Sequence, residues 1–162
     1  MRIETLALVA SIFFALACNG LFWRSSFAGR EFGQLGTWLF AGELFVALVM
    51  LHFILLSLMF NRWTAKPLLT LLTVVTAFAT YYMSTFTVFL DPSMLRNVLR
   101  TDVKEASELF NAGMLPHLVL YAVLPLLFLS RVHLRLDSFR RSTLARLLAI
   151  ALAIVVGAGA LL

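Results

Sequence analysis

Three polar side chains, Asn97, Thr101 and Glu105, stand at a spacing that can hold a charged headgroup. On a helix, residues four apart are neighbours, so an amide, a hydroxyl and a carboxylate line up along about two turns. The carboxylate attracts an ammonium, while the amide and hydroxyl donate to phosphate or glycerol oxygens. The same residues also suit an ordinary solvated face, with Lys104 and Glu108 paired beside them. A further acid, Glu43, lies five residues into an apolar run, about 7.5 Å deep at ~1.5 Å per residue. A carboxylate at mid-bilayer costs about 2.5–3.5 kcal/mol on insertion scales, and less near the interface. An ion pair with Arg96 or Arg100 and contact with a bound cation both suit that position.

Other chemistry is lacking in the sequence. His52, His117 and His133 fall on three segments with no ligand-type spacing and no cysteine partner, so no metal site is expected. There is no glycine-rich phosphate loop, no Gly-x-Ser-x-Gly elbow and no His-Glu-x-x-His run. The single cysteine, Cys18, can form no disulfide within the chain and reads as a buried, inert thiol.

The elements that must position the polar trio begin with residues 91 to 113. Asp91-Pro92 suits an N-cap followed by proline at the first helical position. Gly113 after Asn111 suits a helix stop. Between them Leu95, Leu99, Val103, Ala106 and Phe110 form an apolar stripe, with Asn97, Thr101, Lys104, Glu105 and Glu108 opposite. The pattern predicts a helix over about 92–112 lying on the membrane interface, apolar side down.

The rest of the chain is membrane-spanning in character. It is 62% hydrophobic and 13% charged, with mean hydropathy +0.96, about half the charged fraction of a soluble domain. A chain so poor in polar residues cannot coat a water-facing surface, whereas helices in lipid pair their own backbone groups. Five apolar runs approach the roughly 20 residues that cross a ~30 Å hydrocarbon core: Leu6–Phe22, Trp38–Phe60, Pro67–Leu90, Met114–Leu129 and Leu144–Leu162. The fold class expected is an all-α membrane protein of five transmembrane helices, with the amphipathic helix on the periplasmic side between the third and fourth spans. Pro116 and Pro125 predict a kinked or partly re-entrant fourth run. Ala15-Leu16-Ala17 resembles a signal-peptide cleavage site, but four more apolar runs favour an uncleaved first helix. Ending at Leu162, inside the fifth run, is what a module of a longer protein would do.

Charge sets the expected orientation. Arg2, Arg62, Lys66, Arg131, Arg135, Arg140, Arg141 and Arg146 fall on one side of the five-span arrangement, and Arg24, Arg30, Arg96, Arg100 and Lys104 on the other. Because short cytoplasmic loops collect Lys and Arg, the N-terminus is placed inside and the C-terminus outside. Trp23, Trp38 and Trp63 sit near span ends, as an aromatic belt requires. The net charge of +5 is split between the two faces, which excludes a nucleic-acid surface and suits anionic headgroups. Thr73, Thr76, Thr80, Ser84 and Thr87 form a hydroxyl stripe on the third span, expected to bond across to neighbouring helices. Gly157 and Gly159 are expected to serve close packing in the fifth.

Tyr81-Tyr82 and the segment from Met94 through Glu105 resemble the bacterial lipid A phosphoethanolamine transferases, the family that includes the mobile colistin-resistance enzymes. The shared pattern is Met-Leu-x-Asn-x-Leu-x-Thr-Asp-x-x-Glu, and the hydropathy profile is similar along essentially the whole chain. The resemblance implies the five-helix inner-membrane domain of such an enzyme, with donor-lipid contacts at Asn97, Thr101 and Glu105; the depth of Glu43, on the same side as the interfacial helix, suits the ethanolamine ammonium. It also implies a periplasmic catalytic domain with a zinc-activated threonine, moving phosphoethanolamine from phosphatidylethanolamine to a lipid A phosphate. Nothing in this chain matches the nucleophile or the zinc ligands, so zinc is expected outside it and the chain is expected to be inactive alone. A reading from another class is a small stand-alone membrane protein, such as a transporter subunit or an assembly factor, for which mid-membrane charges or paired broken helices would speak.

Overall fold

In the computed structural model the described residues are 1–87, 96, 100, 111–134 and 139–160, with side chains from 144 onward in the last stretch. Six helices are found among them, with no strand: α1 Ile3–Ala17, α2 Gly20–Ser26, α3 Leu35–Met59, α4 Ala65–Phe86, α5 Met114–Arg131 and α6 Phe139–Gly159. Three of these, α3, α4 and α5, are long and apolar enough to cross a membrane, and the α1–α2 pair is a fourth if counted as one span. The apolar part of α6, Leu144–Gly159, is shorter.

The expected first span is therefore two helices, bent by 61° at Cys18 and Asn19. A helix stopping inside lipid leaves carbonyls without partners, which is costly there. Two polar side chains satisfy them: Asn19 Nδ2 donates to the Phe14 carbonyl at 2.7 Å, and Trp23 Nε1 donates to that of Ala15 at 2.7 Å. At the next turn of chain Thr37 Oγ1 bonds the Glu31 carbonyl and Trp38 Nε1 that of Phe32, fixing the start of α3. Phe22, Trp23, Phe27, Phe32 and Trp38 form a run of neighbouring rings 5.5 to 6.3 Å apart, as the aromatic belt requires.

The reversal between α3 and α4 is reciprocally capped. Asn61 Oδ1 accepts from the Trp63 and Thr64 amides, while Thr64 Oγ1 accepts from the Asn61 amide and donates to the Met59 carbonyl. Around this turn lies the tightest packing of the molecule: Phe60 and Ala65 are fully buried and Leu6 is 2% exposed, in one cluster with Ile3, Phe53, Leu69 and Leu129. The Met1 ammonium donates to the His133 carbonyl at 2.6 Å, so both ends of this layer close on each other. In lipid such contacts work through close packing rather than exclusion of water, which favours small residues such as Ala7, Ala10 and Ala65.

α1 and α6 both pack on α3. Gly157 supplies one close approach, since a Cβ there would stand 3.2 Å from Met50 Cβ; Gly159 meets nothing within 4 Å. α4 packs along α5, and α2 lies against α4. The expected kink of the fourth run takes the form of a π turn over Val119–Val123, within an otherwise continuous helix. Pro125 donates no hydrogen bond and its ring crowds the carbonyl one turn earlier, and a wider turn relieves both. Pro116 sits in the first turn of α5, where its missing amide costs nothing.

The expected interfacial helix at 92–112 lies outside the described residues, apart from Arg96 and Arg100, which are helical and exposed, and the turn at 111–113. Gly113, expected as a helix stop, follows a stretch outside the described residues; its own backbone is right-handed helical at φ −65° and it leads into α5. A Cβ there would stand 3.1 Å from Asn111 Oδ1, an approach that glycine eases.

Candidate functional site

Among the described residues, the end of the bundle holding Asn19, Thr87 and Asn111 is open where the Met1 end is closed. A cavity of about 780 Å³ lies there, walled by the last turn of α1, by α2, by the C-terminal part of α4 and by the first turns of α5. Each wall contributes polar groups for a local reason. The helix break exposes Asn19 and carries Arg24, Ser25 and Ser26 of α2 into the wall. The hydroxyl stripe of α4 brings Thr80 and Ser84, and the start of α5 brings His117 and Tyr121.

A chain of contacts ties α4 to α5 at the cavity floor. Thr80 Oγ1 lies 3.0 Å from His117 Nε2. The threonine hydroxyl also lies 2.8 Å from the Thr76 carbonyl and 3.2 Å from that of Ala77, and which group donates in the Thr80–His117 bond follows from the imidazole tautomer. The His117 ring stacks on Tyr121 with centroids 4.3 Å apart and meets Tyr81 edge-on at 5.5 Å. Tyr81, packed edge-on against Tyr82, donates through its hydroxyl to Asn111 Oδ1 at 2.8 Å, closing the end of the helix pair. The expectation that the stripe bonds across helices is met at Thr80, while Thr73 is buried and Ser84 Oγ donates to its own helix at the Tyr81 carbonyl.

A hydroxyl beside an imidazole is the start of a nucleophile–base pair, but such a pair needs the hydroxyl proton aimed at the base and a third group orienting it. Here the hydroxyl also reaches the Thr76 carbonyl at 2.8 Å, and the described residues lining the cavity include no carboxylate. Among the described residues no three His, Cys, Asp or Glu side chains are grouped to hold a metal ion. The arrangement is fitted to binding: among the described residues Arg24 is the one charged residue in the wall, surrounded by hydroxyl, amide and imidazole groups. A phosphate with hydroxyl or glycerol neighbours matches that set.

Of the residues singled out by spacing, Asn97, Thr101 and Glu105 lie outside the described residues. Glu43 is exposed on α3 and lies outside the cavity wall, and Arg96 and Arg100 are exposed. No ion pair joins these three among the described residues. Arg24, Asn19, His117 and Tyr121 escaped the spacing argument. The signals available for them were an Asn-Gly pair inside an apolar run and a histidine one helical turn before a tyrosine.

The fold and the cavity define a multi-pass helical membrane domain with a cationic, hydroxyl-lined recess at one end. The family model described as phosphoethanolamine transferase EptA/EptB matches residues 48–162, well over half of the chain. The chain belongs to that family. It is 31% identical over 86 residues to the phosphatidylethanolamine transferase Mcr-1 of Escherichia coli, covering 53% of this chain and 16% of that protein. With Mcr-2 of the same organism it shares 30% over 80 residues, 49% of this chain and 15% of the relative. The fold is similar to that of the integral membrane protein lipooligosaccharide phosphoethanolamine transferase A (EptA) from Neisseria meningitidis. The TM-score is 0.88 at 25% identity, over 96% of this chain and 29% of that one. The matches thus span less than a third of each relative.

Proposed function

We propose that this chain is the membrane domain of a phosphoethanolamine transferase, anchoring a catalytic domain and presenting phosphatidylethanolamine to it at the outer leaflet of a bacterial inner membrane. On this reading the chain crosses the membrane five times, with its N-terminus cytoplasmic and the cavity end periplasmic. The observation that carries the reading is the cationic, hydroxyl-lined cavity at one end of a bundle whose family transfers phosphoethanolamine. Arg24 pairs with the lipid phosphate, the hydroxyls of Thr80 and Ser84 and the Asn19 amide surround its ester oxygens, and His117 and Tyr121 form the floor. Asn97, Thr101 and Glu105 cover the headgroup from the membrane surface, and Glu43 adds negative charge for the ammonium in the same leaflet. The domain contributes positioning, the part of catalysis that turns an encounter between two lipids into a step within one complex. Nucleophile and zinc belong to residues outside this chain, and lipid A is the acceptor.

The test uses a transferase carrying this domain, with lipid A scored for added phosphoethanolamine by mass spectrometry. Arg24→Gln, Asn97→Ala and Glu105→Ala should each lower transfer by about tenfold, the effect of losing a charge-assisted contact of about 1.5 kcal/mol. Protein level in the membrane should stay unchanged. Full transfer in all three variants would remove the donor-lipid assignment.

A further inference from the structure

The polar cavity has an apolar companion deeper in the bundle. A second cavity, of about 330 Å³, is walled by the same helices: Leu6, Val9 and Phe13 of α1, Thr73 of α4, and Pro125 and Phe128 of α5. The two lie along one seam. On α1 the step from the deep cavity to the polar one is a single turn, Phe13 to Ala17, and on α5 it is again one turn, Pro125 to Tyr121. On α4 it is two turns, Thr73 to Thr80, about 10 Å at ~1.5 Å per residue.

The two cavities follow the same helices for identifiable reasons. α1 packs on α3, while α4 packs on α5. Leu6, Leu69 and Leu129 line the deep cavity and belong to the cluster that closes the Met1 end of the bundle. Pro125, two residues past the π turn, lines the same cavity from α5. A void lined by hydrocarbon forfeits the contacts its walls would otherwise make, and the bilayer supplies acyl chains to restore them.

We propose that one acyl chain of the phosphatidylethanolamine held at Arg24 runs down this seam into the deep cavity, so that the domain grips its lipid by the tail as well as by the head. The proposal rests on the donor-lipid reading above. Its warrant is the order of chemistry along the membrane normal: a single cation among hydroxyls at the interface, then a slot with almost no polar lining beneath it. That is the profile of one phospholipid, and it commits the slot to the lipid whose phosphate faces Arg24. Holding the tail fixes how far the headgroup stands from the interface, which a headgroup contact alone does not do.

The test is photo-crosslinking of this chain in nanodiscs of equimolar phosphatidylethanolamine and phosphatidylglycerol. The probe is a trace of phosphatidylethanolamine bearing a diazirine midway along one acyl chain. Adducts located by peptide mass spectrometry should fall on Phe13 and Leu69 several-fold more often than on the exposed Leu51 and Leu148. Val9→Trp, at the exposed rim of the slot and away from the polar cavity, should lower the Phe13 and Leu69 adducts several-fold. The same diazirine carried on phosphatidylglycerol should give fewer of them. Adducts spread evenly over exposed leucines, or slot adducts indifferent to headgroup, would overturn the proposal. If Val9→Trp leaves slot adducts unchanged while Arg24→Gln still lowers transfer, the tail slot falls and the headgroup reading stands.

Discussion

The two ends of this bundle are built on opposite principles. The Met1 end is closed: a reciprocally capped turn, a fully buried Phe60 and a cluster drawn from α1, α3, α4, α5 and α6. Among the described residues the Asn111 end is open: α1 breaks, α2 turns aside, and polar and aromatic contacts join α4 to α5 beside a buried Met114. Packing of small and apolar side chains gives the first end its rigidity. The second end gives up potential packing for a recess lined with polar side chains. On the donor-lipid reading, the contrast teaches that stability and ligand contact fall to different halves of the same helices.

The sharpest way to break that division is Phe60→Ala at the closed end. It should cost about 3 kcal/mol, the low end for emptying a phenylalanine site, because lipid also solvates the unfolded helix. Lipid selectivity at the open end should not change. Unfolding in detergent mixtures with a parallel lipid-retention assay measures both, and a shift in selectivity would mean the ends are coupled. At the open end His117→Ala should show the reverse. One interhelical bond in a membrane is worth about 0.6 kcal/mol, so stability should hardly move while phosphatidylethanolamine retention falls several-fold. The smallest expected effect sits at Thr87, the residue closing α4 in the left-handed region at φ 53°. A β-branched residue there is strained by roughly 1 kcal/mol, so Thr87→Gly should raise the midpoint of α4–α5 unfolding slightly. A lowered midpoint would show that the threonine side chain does something the backbone strain hides.

Much of the fold is visible in the sequence because a membrane span is set mainly by the length of an apolar run. α3 and α4 begin within three residues of the expected Trp38 and Pro67, and α5 begins at the expected Met114 and runs two residues past Leu129. The break of the first run was hidden, since Asn19 in an apolar stretch signals a stop only when Phe14 and Trp23 are known to share its hydrogen bonds. Pro125 announced a disturbance in the fourth run, but which form it takes depends on how α4 packs beside it. The candidate site was the least legible part. Thr80 and His117 are 37 residues apart, and neither has a neighbour in sequence that announces the pair. Arg24 reads as one more interfacial arginine until α2 is seen lining the cavity.

The bent first span also bears on the membrane around it. With 15 residues, α1 reaches about 22 Å at ~1.5 Å per residue, some 8 Å short of a ~30 Å hydrocarbon core. α2 turns away by 61° and recovers only part of that height. Thinning of the bilayer beside the break is one expected response, at a cost of fractions of a kcal/mol per Å. Lipids bordering α1 would then be compressed and sit lower than their neighbours, in a shallow dimple beside the recess. A lipid in that dimple has already given up part of its packing with the surrounding sheet, which makes it the easiest one to take hold of.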